Sequence, residues 1–297
     1  MLTNAELQDR IKGGLYGVAI GDALGGTTEF MGEAEVAAEY GYLTDIIGGG
    51  VWGLRPGEVT DDTMMTLCVA EGLLASPADP VAAIGERFLA WYASRPKDIG
   101  NIVRRTLASY RGDWFAAALA THDALGQSAG NGTLMRCLPV ALGCAELPEV
   151  ERLSRQQSAM THYDERCAEA CVIYNRIAHR LLRGEGLAAA VRQELVGTAY
   201  ADIAAGALPG CEPTGYVVHT FRWVLYIVLE AADFSDAVQR AANLGGDSDT
   251  IGAIAGGLAG IACGFAQLPK AYAVKILIRS ELDEVSERLY HLHCSQL

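Results

Sequence analysis

NLGGDSDTIGAIAGGLAG, residues 243–260, sets Asp247, Asp249 and Thr250 between a Gly-Gly turn and a stretch without charge. From Ile251 to Pro269 there is no Asp, Glu, Lys or Arg. A run of that length reaches the thickness of a bilayer. It also contains Gly252, Gly256, Gly257, Gly260, Gly264 and the polar Gln267, and it follows DSDT directly. Small residues let helices approach closely in soluble cores too, so the stretch reads as a central buried helix and not a membrane span.

The rest of the chain repeats the helical period. In DERCAEACVIYNRIAHRLLRG (164–184), Cys167, Ala170, Cys171, Tyr174, Ile177, Ala178 and Leu181 fall on one face. Asp164 is placed as an N-cap and Gly184 as a stop. Similar patterns cover roughly 60–75, 81–93, 101–111, 114–125, 132–145, 149–160, 187–207, 216–232, 235–243, 250–265 and 279–293. Period-two strands are hard to find, connections are short, and no linker separates domains. The expectation is an all-α protein, with residues 1–297 forming a single multi-helix domain.

The formal charge, 23 basic against 36 acidic residues, is −13. That excludes the basic face of a nucleic-acid binder. Eight cysteines lie without any CxxC, several inside apolar helical patterns, and behave as small hydrophobes. The N-terminal MLTNAELQDRIKGGLYG lacks the apolar core of a signal peptide, so a cytoplasmic, reduced protein is expected. Zinc is not expected at Cys167 and Cys171, nor at His291, His293 and Cys294, because tetrahedral sites need further thiol or imidazole partners.

A second acidic cluster stands almost two hundred residues upstream. In EVTDDTMMTL (58–67), Thr60, Asp61 and Asp62 open an amphipathic helix. Helix capping explains one or two of these oxygens but not three in succession. Both clusters are Thr/Asp triplets, both open an apolar helix, and both offer hard oxygens without neighbouring Cys or His. Such donors suit Mg²⁺, Mn²⁺ or Ca²⁺. Carboxylates brought together without cations would repel, and divalent ions would offset that charge. A third donor, Glu29, follows GDALGG (21–26), which permits a tight turn or a glycine-stopped helix end. In SAGNGTLMR (128–136) small residues precede a helix expected from about Thr133, a place where backbone amides seat anions.

GDALGGTTEF, VTDDTMMTL, GNGTLMRCLPVAL, MTHYDERC and NLGGDSDTIGAIAGGLAG, in this order and spacing, resemble the ADP-ribosylglycohydrolases over nearly the whole chain. The pairing of a TDDT box with a GGDSDT box is specific. The resemblance implies a helical fold with a dinuclear Mn²⁺ or Mg²⁺ centre in a cleft. By motif, Thr60, Asp61 and Asp62 match the ligands of one metal, Asp247 and Thr250 those of the other, and Asp249 a shared carboxylate. Glu29 matches an acidic residue at the entrance, and Asp98 in KDIGN a carboxylate with acid/base work. Gly100 and Asn101 match ribose contacts. Ser128, Gly130, Asn131, Gly132, Thr133 and His162 match the diphosphate region. Tyr216 is the candidate for stacking on adenine.

The implied reaction is hydrolysis of the bond between ADP-ribose and a protein arginine. The wording looks nearest to the nitrogen-fixation branch of the family, which implies ADP-ribosylated nitrogenase iron protein as substrate, a P-II-type signalling partner and membrane recruitment. Nothing in the composition speaks to those partners. A monomer is the default. Rival readings are another di-metal hydrolase, acting on phosphate esters or nucleotides, and an inactive ADP-ribose-binding relative. Intact TDD, DSDT, Glu29 and Asp98 count against the latter.

Overall fold

The computed structural model describes residues 2–296. Its first helix, α1 (Asn4–Gly25), starts at a capping box: Glu6 N donates to Thr3 Oγ1, and Thr3 N donates to Glu6 Oε2 at 2.7 Å. GDALG is therefore the last turn of a long helix and not a tight turn. After α2 (Glu33–Tyr40) come α3 (Asp61–Ala75), α4 (Val81–Ala93), α5 (Asn101–Ser109) and α6 (Trp114–Leu125). Next are α7 (Leu138–Gly143), α8 (Leu147–Ala159), α9 (Glu165–Leu182), α10 (Leu187–Glu194) and α11 (Ala201–Ala204). The chain closes with α12 (Val217–Glu230), α13 (Phe234–Leu244), α14 (Ser248–Cys263), α15 (Lys270–Ala273) and α16 (Arg279–Cys294). Among the described residues there is no strand, only isolated bridges between Gly49 and Leu54 and between Gly130 and Tyr216.

The uncharged stretch is α14, and it is the buried beam of the fold. Ser248 through Ile261 are all buried, and α1, α12, α13 and α9 pack around it. The closest partner is α1, running antiparallel. Gly13 faces Gly260, Gly17 faces Gly256, Gly21 faces Gly252 and Gly25 faces Ser248. Four glycines at four-residue spacing on α1 meet three glycines and a serine at the same spacing on α14. A Cβ at Gly21 would overlap the Gly252 carbonyl and approach Ala253 N at 2.8 Å, and backbone cannot swing aside. Gly21→Ala is thus expected to destabilise by about 3 kcal/mol, roughly 6–10 °C in Tm for a chain this size. Gly186→Ala is the control: a Cβ there meets nothing within 4 Å, and thermal melts should leave it near the parent.

Two expected helices came out shorter. The pattern over 132–145 yields helix only at Leu138–Gly143, preceded by a turn in which Leu134 N and Met135 N both donate to Asn131 O. The pattern over 187–207 breaks into α10 and α11, because Gly197 adopts a φ of +76°. Asp164 does cap α9, accepting from Arg166 N at 3.0 Å, and the helix stops just before Gly184. No helix among the described residues is long and apolar enough to cross a membrane.

Candidate metal centre and active site

Both acidic boxes open helices that point at the same space. Thr60 is the N-cap of α3, its Oγ1 accepting from Asp62 N at 3.4 Å, and Asp247 is the N-cap of α14 without any side-chain cap bond. Although 188 positions apart, Thr250 Oγ1 donates to Asp62 Oδ2 at 3.1 Å, and Thr60 Oγ1 reaches Asp249 Oδ2 at 3.5 Å. Thr60, Asp61, Asp62, Asp249 and Thr250 are all buried. Asp62 Oδ1 has no hydrogen-bond partner, an orphaned acceptor in a cluster made only of acceptors and hydroxyls.

A cleft of about 740 Å³ opens over this cluster, lined among others by Glu29, Asp61, Asp98, Asp247, Asp249 and Thr250. Carboxylate oxygens of Glu29, Asp98 and Asp249 lie within 4.8 Å of one another. Glu29 accepts from Trp52 Nε1, and Gly100 N donates to Asp61 Oδ2 at 3.2 Å, which draws the 98–101 loop onto α3. Helix α5 takes no side-chain cap, so Asp98 is not a capping residue and is left facing the other carboxylates.

Burial is the first cause of the site's electrostatics, and mutual repulsion the second. Glu29 is raised to about 8 by burial, with Asp247 and Asp61 adding to it against the Trp52 bond. Asp98 is raised to about 9 by burial and then by Asp61 and Glu29. Burial lifts Asp61 to about 6 and pushes Asp62 and Asp249 well above the carboxylate range. So many buried carboxylates hold protons or cations. Hard oxygens, an orphaned acceptor and the shared cleft make the set fit a divalent cation.

This has a measurable consequence. Without metal, the folded carboxylates bind protons more tightly than unfolded ones, so the native state holds more protons and stability falls as pH rises from about 4 to about 9. The slope is about 1.4 kcal/mol per pH unit for each proton retained. Thermal melts in chelator should therefore drop with pH across that window, and added Mn²⁺ should flatten the curve.

One buried carboxylate escaped the sequence reading. Asp22, on the last turn of α1, is fully buried and accepts from Thr60 N at 3.0 Å, Thr63 N at 3.1 Å and the Thr63 hydroxyl. It accepts from amides at the start of α3 from another helix, so those amides do not draw on Asp61, which faces the cleft, or on Asp62, which lies beneath it. The Thr3–Glu6 capping box was the available signal that a helix starts at the N-terminus; nothing in it marks how far that helix runs.

The expected substrate contacts divide. Gly100, Asn101, Gly130, Asn131, Gly132 and His162 line the cleft. Asn131 does so while also holding the acidic cluster: its Nδ2 donates to Asp247 Oδ2 at 2.6 Å and to Thr220 Oγ1 at 3.0 Å. Ser128, Thr133 and Tyr216 do not line it. Ser128 Oγ is tied to His122 Nδ1 at 2.8 Å and to Tyr163 N, and Thr133 Oγ1 accepts from Ser158. Tyr216 OH accepts from Arg166 at 2.9 Å, and its backbone bridges Gly130. The helix after this loop starts at Leu138 and not Thr133, so α7 does not present its N-terminus at residues 128–133; the loop meets the start of α12 instead, where Val217 N donates to Ala129 O at 3.0 Å.

The family model for ADP-ribosylglycohydrolase matches residues 3–296. A Rhodospirillum rubrum protein named ADP-ribosyl-[dinitrogen reductase] glycohydrolase is 35% identical over 95% of this chain and 95% of its own. An ADP-ribosylarginine hydrolase Tri1 from Pseudomonas putida is 31% identical over 97% of this chain and 80% of its own. A solved structure titled ADP-ribosylglycohydrolase-related protein complex superposes with a TM-score of 0.81 at 31% identity, covering 97% of this chain and 99% of that one. A helical frame that brings TDD and DSDT to one cleft, and likeness that runs from end to end, leave one assignment: the chain belongs to the ADP-ribosylglycohydrolase family.

Proposed function

We propose that the chain hydrolyses the N-glycosidic bond between ADP-ribose and a protein arginine with two Mn²⁺ or Mg²⁺ ions, and that its substrate is ADP-ribosylated nitrogenase iron protein. The observation that carries the chemistry is the meeting of Thr60 and Asp62 with Asp249 and Thr250 under the cleft that also holds Asp98 and Glu29. Thr60, Asp61 and Asp62 would hold one cation, Asp247 and Thr250 the other, with Asp249 serving both. When bound, these ions supply Lewis acidity toward the ribose hydroxyls and a lowered water pKa.

The chain's own groups account for the proton traffic. Glu29, Asp98 and Asp249 stand within 4.8 Å, closer than the roughly 6.5–9.5 Å of an inverting glycosidase pair. They therefore do not bracket a water as an inverting pair does. Asp98 holds a proton that it gives to the leaving guanidine nitrogen as the C–N bond breaks. It then takes one from the water that forms the new C–O bond at the anomeric carbon. Glu29, fixed by Trp52 Nε1, orients the reacting groups at the entrance.

The substrate assignment rests on the 35% identity to the R. rubrum protein. A second reading is a general ADP-ribosylarginine hydrolase, favoured by the likeness to the P. putida protein. Turnover of ADP-ribosylated iron protein, set against an unrelated ADP-ribosyl-arginine protein, separates them. A preference of tenfold or more for the iron protein supports the first, and equal rates support the second. Phosphate release from simple esters without ADP-ribose release would favour another di-metal hydrolase. On this reading the protein works in the cytoplasm as a monomer, with a P-II-type partner recruiting it to the membrane.

A further inference from the structure

Arg136 is fully buried, yet no carboxylate among the described residues pairs with it. Its Nε donates to Gln157 Oε1 at 3.1 Å, and its Nη2 to Gln157 O at 3.0 Å and Thr161 Oγ1 at 2.8 Å. Nη1 has no acceptor, and the guanidinium lies over the Phe88 ring at 4.6 Å. A buried cation without a counter-ion is costly, so its one contact toward the cleft has weight. That contact is Thr161, whose neighbour His162 lines the cleft.

Thr161 Oγ1 and His162 Nδ1 are 2.9 Å apart, and the proton between them belongs to one or the other. A hydroxyl has one hydrogen and two lone pairs. Arg136 occupies a lone pair, and Thr161 is fully buried with no other side-chain acceptor in reach. If Nδ1 carried the hydrogen, the threonine hydrogen would have no acceptor. A buried unsatisfied hydroxyl of that kind biases the equilibrium about tenfold or more. The hydroxyl therefore donates to Nδ1, and the ring hydrogen is on Nε2.

Nε2 has no hydrogen-bond partner among the described residues, and it looks at the bare loop residues Gly130 and Gly132. A Cβ at Gly130 would stand 3.1 Å from Nε2, and one at Gly132 would stand 3.4 Å from Cε1. Glycine at both positions keeps the ring edge open to the cleft. Burial and the Arg136 charge lower His162 to about 3, so the ring is neutral and its donor atom is set by the tautomer alone.

We propose that Arg136 and Thr161 are positioning residues that lock His162 as the Nε2–H tautomer and aim that hydrogen at the phosphate oxygens of the bound substrate. The last clause rests on the function proposed above; the tautomer does not. Nitrogen-15 NMR of histidine-labelled protein reads the tautomer directly. The wild type should show His162 protonated at Nε2 with Nδ1 as acceptor. Thr161→Val should lose that signature and bind ADP-ribose about tenfold more weakly, and Thr161→Ser should restore both. Arg136→Gln risks the core, which is why threonine is the variant of choice. His162 protonated at Nδ1 in the wild type, or Thr161→Val with an unchanged tautomer, would overturn the relay. Unchanged ADP-ribose affinity in a Thr161→Val protein whose tautomer has changed would overturn the aim at phosphate. Failure of the wild type to bind ADP-ribose at all would count against the proposed function, while the NMR result still decides the relay.

Discussion

Asp249→Asn should lower kcat/KM for ADP-ribose release by about 10³-fold or more. If Asp249 serves both cations as proposed, its loss removes several kcal/mol of charge stabilisation, and each 1.36 kcal/mol is tenfold in rate. The substitution is close to isosteric and keeps an acceptor for Thr250 N, which donates to Asp249 Oδ1 at 2.8 Å. Collapse of the helix start is thus not the cause of the loss. Stability should move in the opposite direction. Asp249 is buried against Glu29, Asp62 and Asp247, and removing one like charge relieves the metal-free cluster. The metal-free variant should melt above the wild type at pH 8 and gain less from Mn²⁺. Steady-state kinetics and melts with and without chelator check both halves. A rate within tenfold of wild type would remove Asp249 from the centre.

Asp98→Asn should lower kcat by about 10²–10⁴-fold while leaving KM within a few-fold. Asp98 touches no helix terminus as a cap, and its surroundings are the other carboxylates and the cleft. An amide there can neither give a proton to the leaving nitrogen nor take one from water. Its retained shape should still fill the loop that Gly100 N pins to Asp61. Melting temperature should change little, and a substrate with a better leaving group than guanidine should recover part of the rate. Equal loss on all substrates together with a lower Tm would make Asp98 structural.

The helical class and most helices were legible because their apolar period is the same property that buries them. The 164–184 face, its Asp164 cap and its stop before Gly184 are cases in point. The family followed from five motifs in order and spacing, among which the pairing of the TDDT and GGDSDT boxes is specific where either box alone reads as helix capping. Helix α1 was obscured because its contact with α14 is made by glycines, which carry no hydrophobic signal. Asp22 was hidden for a different reason. Its role is to accept from α3 across a 38-residue gap, and no local spacing encodes that. The motif matches alone did not say which of the named residues line the cleft. Ser128, Thr133 and Tyr216 spend their polar atoms on neighbours within the fold, which only the three-dimensional partners reveal.

The most direct measurement is release of ADP-ribose from an ADP-ribosylated arginine protein by the purified chain, with Mn²⁺ and with chelator. Release in Mn²⁺, abolished by chelator and restored by added metal, is the predicted result. Release that persists in chelator, or none in either condition, would contradict a metal-dependent hydrolase built on Thr60–Asp62 and Asp247–Thr250.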